Sequence, residues 1–94
     1  MANRVIWSAH AVSDVEAIAR YIEADSPAYA RSVVKKITAS VHQLSQFPRS
    51  GREVPEFEDP CIRELIVYSY RVIYRITDSE ILVVAMIHGK RNLR

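Results

Sequence analysis

Ile22-Glu23-Ala24-Asp25-Ser26-Pro27-Ala28-Tyr29-Ala30 is the stretch that decides the fold. Serine can accept a hydrogen bond from a free backbone N–H, and proline at the first helical position sacrifices none, so Ser26-Pro27 starts a helix. Upstream, Ala11, Val15, Ile18 and Ile22 recur at helical spacing behind Ser8, a second capping residue, and predict a first helix reaching about Ala24. Its acids, Asp14, Glu16 and Glu23, lie mostly off that stripe. Downstream, Ala30, Val33, Val34, Ile37, Val41, Leu44 and Phe47 predict a second helix from Pro27 to Phe47, which Pro48 ends. Two amphipathic helices joined by so short a link form an antiparallel hairpin, and their apolar stripe needs a sheet to cover it.

Strand patterns stand on both sides. Arg4-Val5-Ile6-Trp7 reads as a short strand before Ser8. Ile62 to Val67, Tyr70 to Ile76 and about Glu80 to His88 read as three more, turning at Tyr68-Ser69 and around Asp78-Ser79. The last is apolar on both faces and is expected inside the sheet, not at its edge. Between helices and strands, residues 48–60 hold three of the four prolines and one of the two glycines, a long irregular loop of the kind that is often functional. The order βααβββ predicts an α+β fold: a two-helix antiparallel hairpin packed on a small antiparallel β-sheet, one domain over residues 1–94.

With 94 residues, 49% of them apolar, the chain can build a core without metal or disulfide. Cys61 is the only cysteine, and no Cys/His cluster has zinc spacing; no metal or cofactor is expected, and a reducing cytoplasm fits. No apolar run approaches the roughly 20 residues of a membrane span. The net charge of +2 is too small to announce a nucleic-acid binder, but the C-terminal seven residues carry His88, Lys90, Arg91 and Arg94 with no acid.

The strand at Tyr70 to Ile76 alternates. Tyr70, Val72, Tyr74 and Ile76 point to the helices, and Arg71, Ile73 and Arg75 point away. The two-residue turn expected at Asp78-Ser79 pairs Thr77 with Glu80, sets Arg71 opposite Met86 and brings His88 to the Arg71 face; a three-residue turn would flip His88 to the helix side. The same alternation puts Glu64 and Ile66 on the Arg71 face. By composition alone, Arg71 and Arg75 read as a solvated face paired with acids, Tyr68, Tyr70, Tyr74 and Trp7 as packing aromatics, and Cys61 as inert. Among the loop acids Glu53, Glu56 and Glu58, nothing local singles one out. The sharper alternative is an RNA site, because arginine grips phosphate with two N–H groups and histidine exchanges protons near neutral pH.

Ile6-Trp7-Ser8, the helix hairpin, Phe47-Pro48-Arg49-Ser50-Gly51-Arg52, Arg63-Glu64-Leu65, Tyr70-Arg71-Val72-Ile73-Tyr74-Arg75 and His88-Gly89-Lys90-Arg91 follow one another along nearly the whole chain. This ordered set resembles toxins of the RelE/ParE superfamily. The resemblance implies a type II toxin neutralised by a cognate antitoxin, with one of two mechanisms. RelE-like and YoeB-like members cut messenger RNA on the ribosome; ParE-like members bind and poison DNA gyrase without cutting. It also implies roles in the first mechanism: Arg71 on the phosphate, His88 as general acid, Glu56 as general base and Arg91 as a second phosphate arginine; Arg75, Lys90 and Arg63 are further candidate substrate contacts beside them. The chain departs from RelE-like nucleases in lacking a tyrosine after the last arginine and a lysine pair near Arg63-Glu64-Leu65. Because Glu56, Arg71, His88 and Arg91 can each be given a chemical role, ribosome-dependent cleavage is the expected mechanism and gyrase inhibition the alternative.

Overall fold

Both serines cap helices as the sequence predicts. In the computed structural model, which describes residues 3–89, Ser8 accepts from the Ala11 N–H at 3.0 Å and Ser26 from the Tyr29 N–H at 3.1 Å. They open α1 (Ala9–Glu23) and α2 (Pro27–His42), with Pro27 in the first turn of α2. The strands are β1 (Arg4–Trp7), β2 (Arg52–Glu53), β3 (Ile62–Val67), β4 (Tyr70–Ile76) and β5 (Glu80–His88). They form one sheet in the order β1-β5-β4-β3-β2. The helices cover one of its faces. Ala11 and Ile22 of α1 and Ala30, Val33, Ile37 and Val41 of α2 share a buried core with Val67, Val72, Tyr74, Ile81, Val83 and Met86. Burial of that stripe is what holds the hairpin helical in so short a chain.

Three details differ from expectation. The sheet is mixed, because β1 runs parallel to β5 while the other neighbours are antiparallel. A parallel pair needs a long crossover, and the chain between β1 and β5 supplies one. β5 accordingly lies inside the sheet, as its apolar composition requires. Secondly, the long loop contributes β2, two residues that pair with Arg63 and Glu64. Thirdly, α2 stops at His42 and tightens into a 3-10 turn, Gln43–Ser45. Pro48 cannot continue a helix and pushes the residue before it out of helical conformation. Leu44 stays buried, but Phe47 leaves the apolar row and is 62% exposed.

The turn at Tyr68-Ser69 is a two-residue hairpin loop joining the Val67–Tyr70 pair. Such loops need a positive φ at the first position, and Tyr68 supplies it at 54° against the preference of a bulky side chain. Its ring packs edge-on against Tyr29 of α2, with centroids 6.1 Å apart.

Candidate functional site

The face of the sheet turned away from the helices is not open around Arg71. Register places Glu64, Ile66, Arg71 and Ile73 on that face, yet Glu64 is 1% and Arg71 4% exposed. The proline-rich loop folds over them. Arg71 Nη1 donates to Glu56 Oε2 at 2.8 Å and Nη2 to Glu56 Oε1 at 2.7 Å, while Nε donates to Glu64 Oε1 at 2.7 Å. The second oxygen of Glu64 accepts from Nε of Arg52. Two guanidiniums and two carboxylates thus alternate across the loop and the sheet. The bidentate bond to Glu56 holds the Arg71 pKa above its ordinary value; burial opposes this and Glu64 reinforces it.

The loop is pinned at its ends as well. Arg63 Nε donates to Pro60 O at 2.9 Å and Nη1 to Gly51 O at 2.9 Å. Tyr74, fully buried, donates its hydroxyl to Pro48 O at 2.7 Å and accepts from the Gly51 N–H at 3.0 Å. Burial pushes the Tyr74 phenol up, and the Gly51 N–H, Arg63 and Arg49 offset part of that. Gly51 sits so close that a Cβ there would lie 2.6 Å from both Glu64 O and the Tyr74 hydroxyl. Only a residue without a side chain fits.

His88 does not share the Arg71 face. The turn is the two-residue one expected, with the Thr77 N–H donating to Glu80 O at 2.9 Å. A β-bulge then intervenes: Tyr74 pairs with Val83 but Ile73 with Ala85, leaving Val84 extra. One added residue flips every later side chain. Arg71 therefore faces Ile87 instead of Met86, and His88 pairs with Tyr70 on the helix side, rings edge to face at 5.9 Å. α1 stabilises the bulge. Ser8 Oγ donates to Val84 O at 3.0 Å, and Asp14 Oδ2 accepts from the Met86 N–H at 2.9 Å.

Of the residues singled out from sequence, the structure joins Glu56 and Arg71, as partners of each other. Arg63, a candidate substrate contact, donates to two loop carbonyls, Pro60 O and Gly51 O. Arg75 is exposed, on the Arg71 face. Lys90 and Arg91 lie outside the described residues. Sequence reading passed over Arg52 and the Tyr74–Gly51 contact. The only visible clue to the latter was a glycine in a loop that otherwise favours proline. Among the described residues, no helix is long and apolar enough to cross a membrane.

A family model described as the ParE toxin of the type II toxin–antitoxin system parDE matches residues 5–93. The candidate toxin Y4kP of Sinorhizobium fredii is 36% identical over 89 residues, covering 92% of this chain and 90% of that protein. Two Caulobacter vibrioides toxins are each 28% identical: ParE3, with 97% of this chain and 91% of that protein covered, and RelE2, with 94% and 97%. A solved structure, the chromosomal ParDE toxin–antitoxin system from P. aeruginosa, superposes with a TM-score of 0.76 at 24% identity, covering 94% of this chain and 97% of that one. It has the same fold.

Proposed function

The chain belongs to the ParE toxin family of type II toxin–antitoxin systems, and on that premise we propose that it acts by binding DNA gyrase and cuts no RNA, with a cognate antitoxin as its neutralising partner. One observation carries this reading: Arg71, the residue a RelE-like nuclease would turn on phosphate, has its three nitrogens bonded to Glu56 and Glu64 inside the protein. A phosphate could reach it only by expelling a carboxylate that is itself 10% exposed. Breaking a buried ion pair of this kind costs several kcal/mol, a penalty that a phosphate contact made mostly in water would not offset. The imidazole of His88 lies on the other side of the sheet, against Tyr70. A general acid and a phosphate clamp that project from opposite faces are poorly set to act on one scissile bond.

Relatedness in sequence does not separate the mechanisms, since ParE3 and RelE2 are equally identical to this chain. Assay does. Purified protein added to a gyrase supercoiling reaction is expected to stop supercoiling, and added to a translating extract it is expected to leave message intact. Message cut at ribosome-bound codons with supercoiling unaffected would overturn the proposal.

A further inference from the structure

We propose that the pocket between the β3–β4 turn and the end of β5 receives a carboxylate side chain of the protein that the toxin arrests, with Tyr68 as its aromatic wall. This deepens the proposed function and rests on it only for the identity of that protein. The pocket, about 490 Å³ in volume, is lined by Arg52, Ile66, Tyr68, Ser69, His88 and Gly89. The Gly89 N–H donates to Ser69 O at 2.6 Å and ties the end of β5 to the turn. A Cβ at Gly89 would stand 2.9 Å from that same oxygen, so the close approach needs glycine. Ile66 and Tyr68 are both more than half exposed, at 56% and 52%, and offer a partner an apolar side chain and a ring.

Tyr68 is a residue that folding alone does not explain. Its φ of 54° lies where glycine and asparagine are at ease and a bulky side chain is strained. The ring packs edge-on against Tyr29, yet both tyrosines stay exposed, so packing offsets little of that strain. Strain held at an exposed aromatic points to binding, and tyrosine is among the residues that anchor protein interfaces. Charge selects what enters. Arg52 gives its Nε to Glu64, and its two Nη groups make no bond among the described residues. Its side chain is 60% exposed, and among the described residues no carboxylate lines the pocket. An entering carboxylate can take Nη hydrogens of that guanidinium, while an apolar neighbour lies on Ile66 and the Tyr68 ring. Nucleic acid fits less well. A phosphate chain draws its affinity from several cations in a row, and the described lining supplies one guanidinium.

Two capped pentapeptides probe the isolated toxin by amide-shift titration. Leucines flank a central glutamate in one and a central lysine in the other. The glutamate peptide is expected to shift Ile66, Ser69 and Gly89 and to bind about fivefold more tightly than the lysine peptide, as one surface ion pair would give. Arg52→Gln should erase that preference. Tyr68→Asn relieves the turn, so it should melt no lower than the unaltered chain while losing the peptide shifts. In the gyrase supercoiling reaction Tyr68→Asn should need about tenfold more protein for the same inhibition, the loss of one interface anchor. Absence of peptide binding, equal affinity of the two peptides, displacement by a single-stranded RNA, or a toxin dimer that Tyr68→Asn disperses would each overturn the proposal. So would a Tyr68→Asn that melts lower, or one that inhibits gyrase as well as the unaltered chain does. If the unaltered chain leaves supercoiling running, the proposed function falls, and the peptide titration still decides the pocket.

Discussion

Glu56 and Arg71 grip each other through two parallel bonds, 2.8 Å from Nη1 and 2.7 Å from Nη2, and so tie the middle of a proline-rich loop to the central strand of the sheet. Glu64 meets the same guanidinium from below at 2.7 Å. The long irregular loop covers the sheet face around Arg71, while Ile66 and Arg75 on the same face stay exposed.

Arg71→Met leaves the fully buried Glu64 carboxylate with the exposed Arg52 alone and takes both guanidinium bonds from Glu56. Urea unfolding is expected to show a loss of roughly 3–5 kcal/mol. Adding Glu64→Leu and Glu56→Gln removes the carboxylates that lost this partner and should recover most of that loss, because neutral side chains of similar volume replace buried ions at little cost. Equal stability of the single and triple variants would contradict this account of the cluster.

Glu56→Ala acts on the loop more than on the core. Glu64 still holds Arg71, so global stability should fall less than in Arg71→Met. Hydrogen exchange and proteolysis within residues 54–60 should quicken while the amides of α1 and α2 keep their protection.

Tyr74→Phe removes the hydroxyl between Pro48 O and the Gly51 N–H and should cost about 1–3 kcal/mol at neutral pH. The pH dependence runs the other way. The Tyr70 and Tyr74 phenols both have folded pKa values raised above 10.0, so the unfolded chain releases these protons first. Their contribution is complete below pH 10 and is lost as pH rises through the folded values. Denaturant melts from neutral to alkaline pH should therefore show a smaller alkaline loss for Tyr74→Phe than for the unaltered chain. Gly51→Ala, which forces a methyl group to 2.6 Å from Glu64 O, should destabilise by about 1–3 kcal/mol at every pH.

Asp14→Ala takes the acceptor from the Met86 N–H at the bulge. The expected cost is roughly 1–3 kcal/mol, and Asp14→Asn, which keeps an acceptor oxygen, should cost much less. Nuclear Overhauser contacts between the Tyr70 and His88 rings report the register directly and should weaken in the alanine variant alone.

The helices, their caps and the identity of each long strand were legible because each carries its own period: 3.6 around Ile18 and Ile37, 2 through Tyr70 to Ile76. The same alternation placed Glu64 with Arg71. What could not be read was set by long-range contact. Val84 is an extra residue inside an unbroken apolar run, where no alternation exists to betray a slip, so the facing of His88 was lost with it. Glu53, Glu56 and Glu58 are alike in sequence, and only the folded path of the loop brings Glu56 to Arg71. Phe47 continued the helical period in sequence but not in space, because Pro48 interrupts the backbone that would carry it.

The most direct test of the central claim separates the charge of Arg71 from the fold that it supports. The variant Glu56→Gln/Glu64→Leu/Arg71→Met removes the buried ions together, and its circular dichroism and melting curve establish that it is folded. The gyrase supercoiling reaction is then run with this variant and with the unaltered chain side by side. Inhibition by both to a similar extent is the expected result. A folded variant that has lost its toxicity, set against an unaltered chain that cleaves ribosome-bound message, would contradict the account.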